Sequence, residues 1–185
     1  MTNVRRAGHA RIDGGGTITW SVADGRLGRR WRSATRDAAG RLTAALLLEI
    51  DPAGRVSKVE LASPAGLLSL HPEGDLLHGN VVSEAGVHHV RLPWSRRHVL
   101  LIAGSAVADA AAAAPGWGGV GERVVVPAVI VDEALDVRSS EATFTRHADG
   151  TVVIEWEDSN RTVRLDEQAI PEALRGRGDW PLEVD

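Results

Sequence analysis

Residues 116–121, Gly-Trp-Gly-Gly-Val-Gly, spell G-x-G-x-x-G. With that spacing a glycine-rich turn and the helix that follows it hold a dinucleotide pyrophosphate on aligned backbone amides. The chemistry needs a strand before the glycines and a helix after them. Here an alanine run and Pro115 come first, and ERVVVPAVIVDEALDV follows, β-branched and interrupted by Pro127. The context predicts a loop feeding a long strand, with Trp117 folded back onto an apolar surface. The phosphate reading fails.

The histidines and carboxylates are the next residues that could act. His71 and His78 flank a turn, His88 and His89 are adjacent, and His98 lies in a strand-like run. None forms H-E-x-x-H, and neighbours in a strand point to opposite faces. His71-Pro72-Glu73 looks like the opening of a zinc deaminase motif, but such sites need cysteines and the chain has none. No metal and no cofactor are predicted. Carboxylates gather at Asp132, Glu133 and Asp136, and again at Glu155, Glu157 and Asp158. Residues 155 and 157 on one strand would stand about 7 Å apart, a spacing a glycosidase could use. An acidic, solvent-facing hairpin end accounts for the same residues. Gly104-Ser105 lacks the second glycine of a nucleophile elbow.

The elements that would position such residues are strands. In LTAALLLEI, Leu42, Ala44, Leu46, Leu48 and Ile50 share one face, and Thr43, Ala45, Leu47 and Glu49 the other. Asp51-Pro52-Ala53-Gly54 is a turn, and RVSKVELAS returns to complete a hairpin. EATFTR, TVVIEW and RTVRL repeat the pattern as a three-stranded meander. Further strands are predicted at 17–22, around Trp31, and over 67–70, 76–79, 87–92 and 98–103. SAVADAAAAAP predicts a turn of helix or an ordered loop, with Ser105 as N-cap and Pro115 as its end. DEQAIPEALRGRG predicts a second short helix, capped by Asp166 and stopped by Gly176.

Composition bounds the function. A chain of 185 residues makes one core. A net charge of -4 argues against nucleic acid. Absent cysteine excludes disulfides, thiolate metal sites and a cysteine nucleophile. The opening residues hold two arginines but no apolar stretch, which is not a secretory signal, and no run is long enough to span a bilayer. A cytoplasmic protein is expected. Six tryptophans stand against one phenylalanine and no tyrosine. Core filling explains such rings. So does a cavity on the apolar concave face of a curved sheet.

Four stretches occur in a suggestive order: Arg30-Trp31-Arg32, the hairpin LLLEIDPAGRV, RLPWSRRHVLL with Leu92-Pro93-Trp94-Ser95-Arg96-Arg97, and FTRHADGTVVIEW. Over most of Trp20–Trp156 this order resembles the bacterial glycolipid-binding protein family. The family's Asn-Thr before Leu-Pro is His89-Val90-Arg91 here, and its closing Tyr-Pro-Gly is Glu155-Trp156-Glu157. The resemblance implies two curved antiparallel sheets in a flattened, partly open barrel, similar to bacterial lipoprotein carriers. It implies binding of an amphiphile rather than catalysis. It also places Trp31, Arg32, Leu92, Pro93, Arg96 and Arg97 at the mouth of a pocket.

The expectation is a mostly β protein with one or two short helices, a loose segment 1–15 and a single domain over 16–185. It holds an apolar or glycolipid-like ligand between its sheets. Trp20, Trp31, Trp94 and Trp156 wall the cavity, and Arg32, Arg96 and Arg97 meet an anionic or hydroxylated head group. Two alternatives stand beside it. One is a homo-oligomeric scaffold, such as a homodimer, whose apolar sheet face a partner subunit covers. The other is a hydrolase using the acidic residues.

Overall fold

The computed structural model describes residues 4–174 together with Trp180 and Pro181. Eight strands follow one another as an antiparallel meander: β1 (Arg5–Arg11), β2 (Thr17–Gly25), β3 (Gly28–Arg36), β4 (Leu42–Ile50), β5 (Val56–Ser63), β6 (Gly66–Glu73), β7 (Leu76–Ser83) and β8 (Gly86–Pro93). A second sheet holds β9 (Val99–Ile102), β10 (Arg123–Val131), β11 (Val137–Arg146), β12 (Thr151–Trp156) and β13 (Ser159–Arg164). The two-residue β14 (Trp180–Pro181) returns to pair with β1, so the large sheet runs β14-β1-β2-β3-β4-β5-β6-β7-β8 and the small one β13-β12-β11-β10-β9. The protein is mostly β, with one large antiparallel sheet, a curled five-stranded sheet and, among the described residues, one α-helix.

Local chemistry sets the turns. Asp37, Asp51, Asp132 and Asp166 each accept two backbone amides through one carboxylate oxygen, from the residues two and four positions on. An aspartate that closes its own turn this way fixes where the chain reverses. Ser63-Pro64-Ala65-Gly66 and Ser83-Glu84-Ala85-Gly86 repeat one hairpin connection, with each serine hydroxyl accepting the alanine amide.

The small sheet departs from a pure antiparallel meander in one place. β9 pairs with β10 in parallel, Val99 beside Ala128 through Ile102 beside Val131. Parallel neighbours need a crossover, usually helical, and the alanine run supplies it as α1 (Ala106–Ala113). Ser105 caps this helix, its hydroxyl accepting the Ala108 amide at 3.2 Å. Every residue of β9 is buried, as befits a strand covered on both faces. Val99 and Leu101 face the inside of the curl, and Leu100 and Ile102 face the large sheet.

Two sequence expectations are corrected. The segment 5–11, expected to be loose, is strand β1, in register with β2 along its whole length. Its inward positions, Arg6, Gly8 and Ala10, make no apolar alternation, and Gly8 is small for a reason. The Trp20 indole lies over it, and a Cβ there would sit 2.9 Å from the ring. The second predicted helix is not an α-helix. Asp166 closes a tight turn, Leu165 bridges Pro171, and only residues 172–174 wind into a 3-10 turn. Gly176, its expected stop, lies outside the described residues.

The main core lies between the large sheet and a layer made of β9, β10 and α1. Trp20, Trp31, Leu48, Val59 and Leu70 meet Leu100, Val107, Val129 and Ile170 there. A second core fills the inside of the curl, where Phe144, Ile154, Val126 and Leu101 enclose Ala112 and Ala113 of α1. Trp117 closes this core as expected. Its indole donates to the Ala112 carbonyl at 2.8 Å, and its ring lies 5.9 Å from that of Phe144.

Candidate functional site

The four tryptophans do not meet in one cavity. Trp20 and Trp31 form a pair in the main core, ring centroids 6.1 Å apart, with the Trp20 indole donating to the Leu174 carbonyl at 2.9 Å. Trp94 is buried at the β8–β9 corner, its ring 5.2 Å from that of His98. Burial holds the His98 imidazole below its ordinary pKa, and its Nδ1 accepts the Ser95 amide at 2.9 Å. Trp156 belongs to the second core, with the Arg161 guanidinium 5.7 Å from its ring centroid. Arg96 and Arg97 stand on the exposed turn after β8. Arg32 alone among these seven residues lines a concavity on the large sheet.

That concavity is a groove of about 760 Å³ on the outward face of the large sheet. Its construction follows from register. Ala34, Ala45, Ala62, Leu67, Val82 and Val87 lie opposite one another on six successive strands, β3 to β8. The result is one unbroken apolar row across the sheet, about 24 Å long at the ordinary strand spacing. Leu67, Val82 and Val87 are 57%, 43% and 58% exposed. The neighbouring row reads Arg32, Leu47, Glu60, Ser69, Asn80 and His89, equally in register and mostly polar. Glu60 is ion-paired with Lys58 at 2.8 Å, while Arg32 has no ion-pair partner among the described residues. The groove is therefore a hydrocarbon strip beside a hydrogen-bonding rail, with an uncompensated guanidinium at one end.

A second concavity of about 680 Å³ lies between the sheets. Its floor is Leu46, Leu61 and Ile102, and Ser33 and Thr35 project into it from the inward face of β3. Asp132 and Glu133 stand at the opposite wall, on the turn between β10 and β11.

Four of the six clustered carboxylates are held as counter-ions. Arg138 reaches Asp132 at 3.4 Å, Asp136 at 3.7 Å and Glu157 at 2.8 Å, and Arg123 reaches Glu155 at 3.2 Å. The hydrogen bond from Arg138 holds the Glu157 carboxyl below its usual range, which suits a counter-ion and not a proton donor. Glu155 and Glu157 do not share a strand face. β12 ends at Trp156, and Glu157 takes a φ of 47° in a tight turn. The glycine stretch 116–121 leads into β10 and no helix, with the Gly119 amide donating to the Glu122 carboxylate at 2.8 Å. Among the described residues no group of three or more metal-ligating side chains converges, and no helix is long and apolar enough to cross a membrane.

The outward row escaped sequence reasoning except for Ala45, whose face could be read from LTAALLLEI. Each other strand contributes a single residue to it. Only the strand register lines them up.

No family model matches the chain, and no curated protein does. Among solved structures, the crystal structure of a DUF1089 family protein from Pseudomonas aeruginosa shares 18% of its sequence with this chain. The likeness covers 92% of this chain and 89% of that one, with a TM-score of 0.53. The two proteins share a fold: a long antiparallel meander packed on a smaller curled sheet is an arrangement this chain has in common with a DUF1089 protein.

Proposed function

We propose that the protein binds an amphiphile, its hydrocarbon chain laid along the outward apolar row and its anionic or hydroxylated head group met by Arg32. The observation that carries this reading is the in-register row from Ala34 to Val87 ending beside an unpaired guanidinium. Monomeric proteins seldom leave a continuous apolar patch uncovered unless something binds it. A long-chain lipid has the matching shape, since one leaflet's hydrocarbon is about 15 Å deep, less than the length of the row. Glu60, Ser69 and Asn80 supply the hydrogen-bonding partners that a sugar-bearing head group uses, in keeping with the resemblance to glycolipid-binding proteins. The site differs from the Trp-walled cavity expected from sequence, but it keeps Arg32 in the role assigned to it.

The test is equilibrium binding of palmitate and of dodecyl glucoside, with native mass spectrometry of mildly purified protein alongside. Saturable binding of either probe, weakened at least tenfold by Leu67→Asp, supports the reading. For palmitate, Arg32→Ala has a comparable effect. Absence of binding by both probes, with no co-purified lipid, overturns it.

The same uncovered row favours a second reading, in which another copy of the chain lies across it. Sedimentation at varying concentration separates the two. A dimer that Leu67→Asp dissociates, in protein that binds neither probe, supports the second reading.

A further inference from the structure

The cleft between the sheets has the opposite chemistry from the outward groove, and it carries an inference that does not rest on the function proposed above. β3 sends Trp31, Ser33 and Thr35 to the same inward face. Trp31 is 1% exposed and packed against Leu48, whereas the next two inward positions are hydroxyls beside Leu46 and Ala44. Polar groups turned toward a core need partners. Neither the Ser33 nor the Thr35 hydroxyl has one among the described residues, and both open onto the cleft. Ser63 and Ser105 accept backbone amides at its rim and keep their own O–H groups.

Charge selects the ligand. Among the described residues no lysine, arginine or histidine lines the cleft. The Arg138 guanidinium is set against Asp132, Asp136 and Glu157. One cation facing three carboxylates leaves the mouth negative, and Glu133, exposed and unpaired among the described residues, adds to it. The cleft thus combines a hydrocarbon floor, two unused hydroxyl acceptors and an uncompensated carboxylate. Its volume falls in the range of small-molecule sites, about 300–1,000 Å³. We infer that it binds a small organic ammonium ion. The carbon chain lies on Leu46, Leu61 and Ile102, the N–H groups donate to Ser33 and Thr35, and the charge faces Glu133.

The experiment is an amide chemical-shift titration of the full chain at pH 7 with hexylamine, hexanol and hexanoate. Hexylamine is expected to shift the amides of Ser33, Thr35, Ser63, Ser105 and Glu133 saturably. Hexanol should bind there at least fivefold more weakly, and hexanoate should leave those amides in place. Glu133→Gln, on an exposed turn, should weaken hexylamine at least fivefold and leave hexanol unchanged. The inference is overturned by the absence of a saturable shift at these amides, or by equal responses to hexanoate and hexylamine. It is equally overturned by a Glu133→Gln protein that binds hexylamine normally. Arg32→Ala, which disables the outward groove for palmitate, should not alter the hexylamine response, so either site can fail without the other.

Discussion

The inside of the small sheet and the outward face of the large one begin with similar chemistry and end differently. Both present apolar side chains aligned across several strands. In the small sheet, Val126, Phe144 and Ile154 are covered by α1 and Trp117 and are fully buried. In the large sheet, Ala62, Leu67, Val82 and Val87 are just as well aligned, yet no element of the described chain lies over them. The one α-helix among the described residues is spent on the crossover that parallel strands require. An apolar face without a cover of its own is a surface offered to something else. That contrast is the physical basis of the proposed function.

If the contrast holds, cutting the covered face costs stability and cutting the open face costs binding. The largest effect falls on Phe144→Ala, where a fully buried ring leaves a cavity worth about 3–5 kcal/mol. Urea unfolding should show the midpoint fall with m unchanged.

The cover itself carries a flaw. Asp109 of α1 is the one charged side chain buried in the described core, with an oxygen that has no hydrogen-bond partner. Burial pushes its carboxyl up to about 7, against the pull of Arg161. A native pKa raised above the unfolded value of 3.8 means that the folded state holds the proton more tightly. This residue's destabilising effect is absent below about pH 4, grows between there and pH 7, and is complete above. Asp109→Ala should therefore stabilise the protein by about 2–4 kcal/mol at pH 8, and the gain should vanish toward pH 4. Thermal unfolding across that range checks it. A gain independent of pH would assign the effect to helix propensity.

Ser105→Ala removes the α1 cap and should cost about 1 kcal/mol, measurable as a lower denaturation midpoint. The smallest effect on stability is expected for Leu67→Ala on the open face, under about 0.5 kcal/mol, although it should weaken palmitate binding severalfold. A large loss of stability at Leu67 would break the comparison, since it would mean that the outward row is already packed.

Period-two patterning was enough to place β4 with β5 and the β11–β12–β13 meander, while Ser105 ahead of the alanine run marked a turn of helix or an ordered loop where α1 stands. These elements carry one strong apolar face each, or a cap residue ahead of an alanine run. β1 was hidden because its inward positions are Arg6, Gly8 and Ala10, a charged residue and two small ones, with Gly8 admitting Trp20. The parallel β9–β10 pair was hidden because strand direction follows from the crossover and leaves no mark in Val99–Ile102. The site was the least legible part. The aromatic excess drew attention to four tryptophans that are core residues in three separate places, Trp20 and Trp31 as a pair and Trp94 and Trp156 each apart. Leu67, Val82 and Val87 are unremarkable singly. They become a surface only through register, which depends on turn geometry at Gly66 and Gly86 far from any chemistry.

The central claim is that a hydrocarbon chain lies along the row from Ala45 to Val82 with its head at Arg32. Paramagnetic broadening by a fatty acid carrying a nitroxide at its far end tests this most directly. The account predicts that the amides of Leu67, Val82 and Val87 are broadened, that those around Phe144 and Ile154 are spared, and that Arg32→Ala weakens the effect. Broadening centred on the inside of the small sheet, or none at saturating ligand, would contradict it.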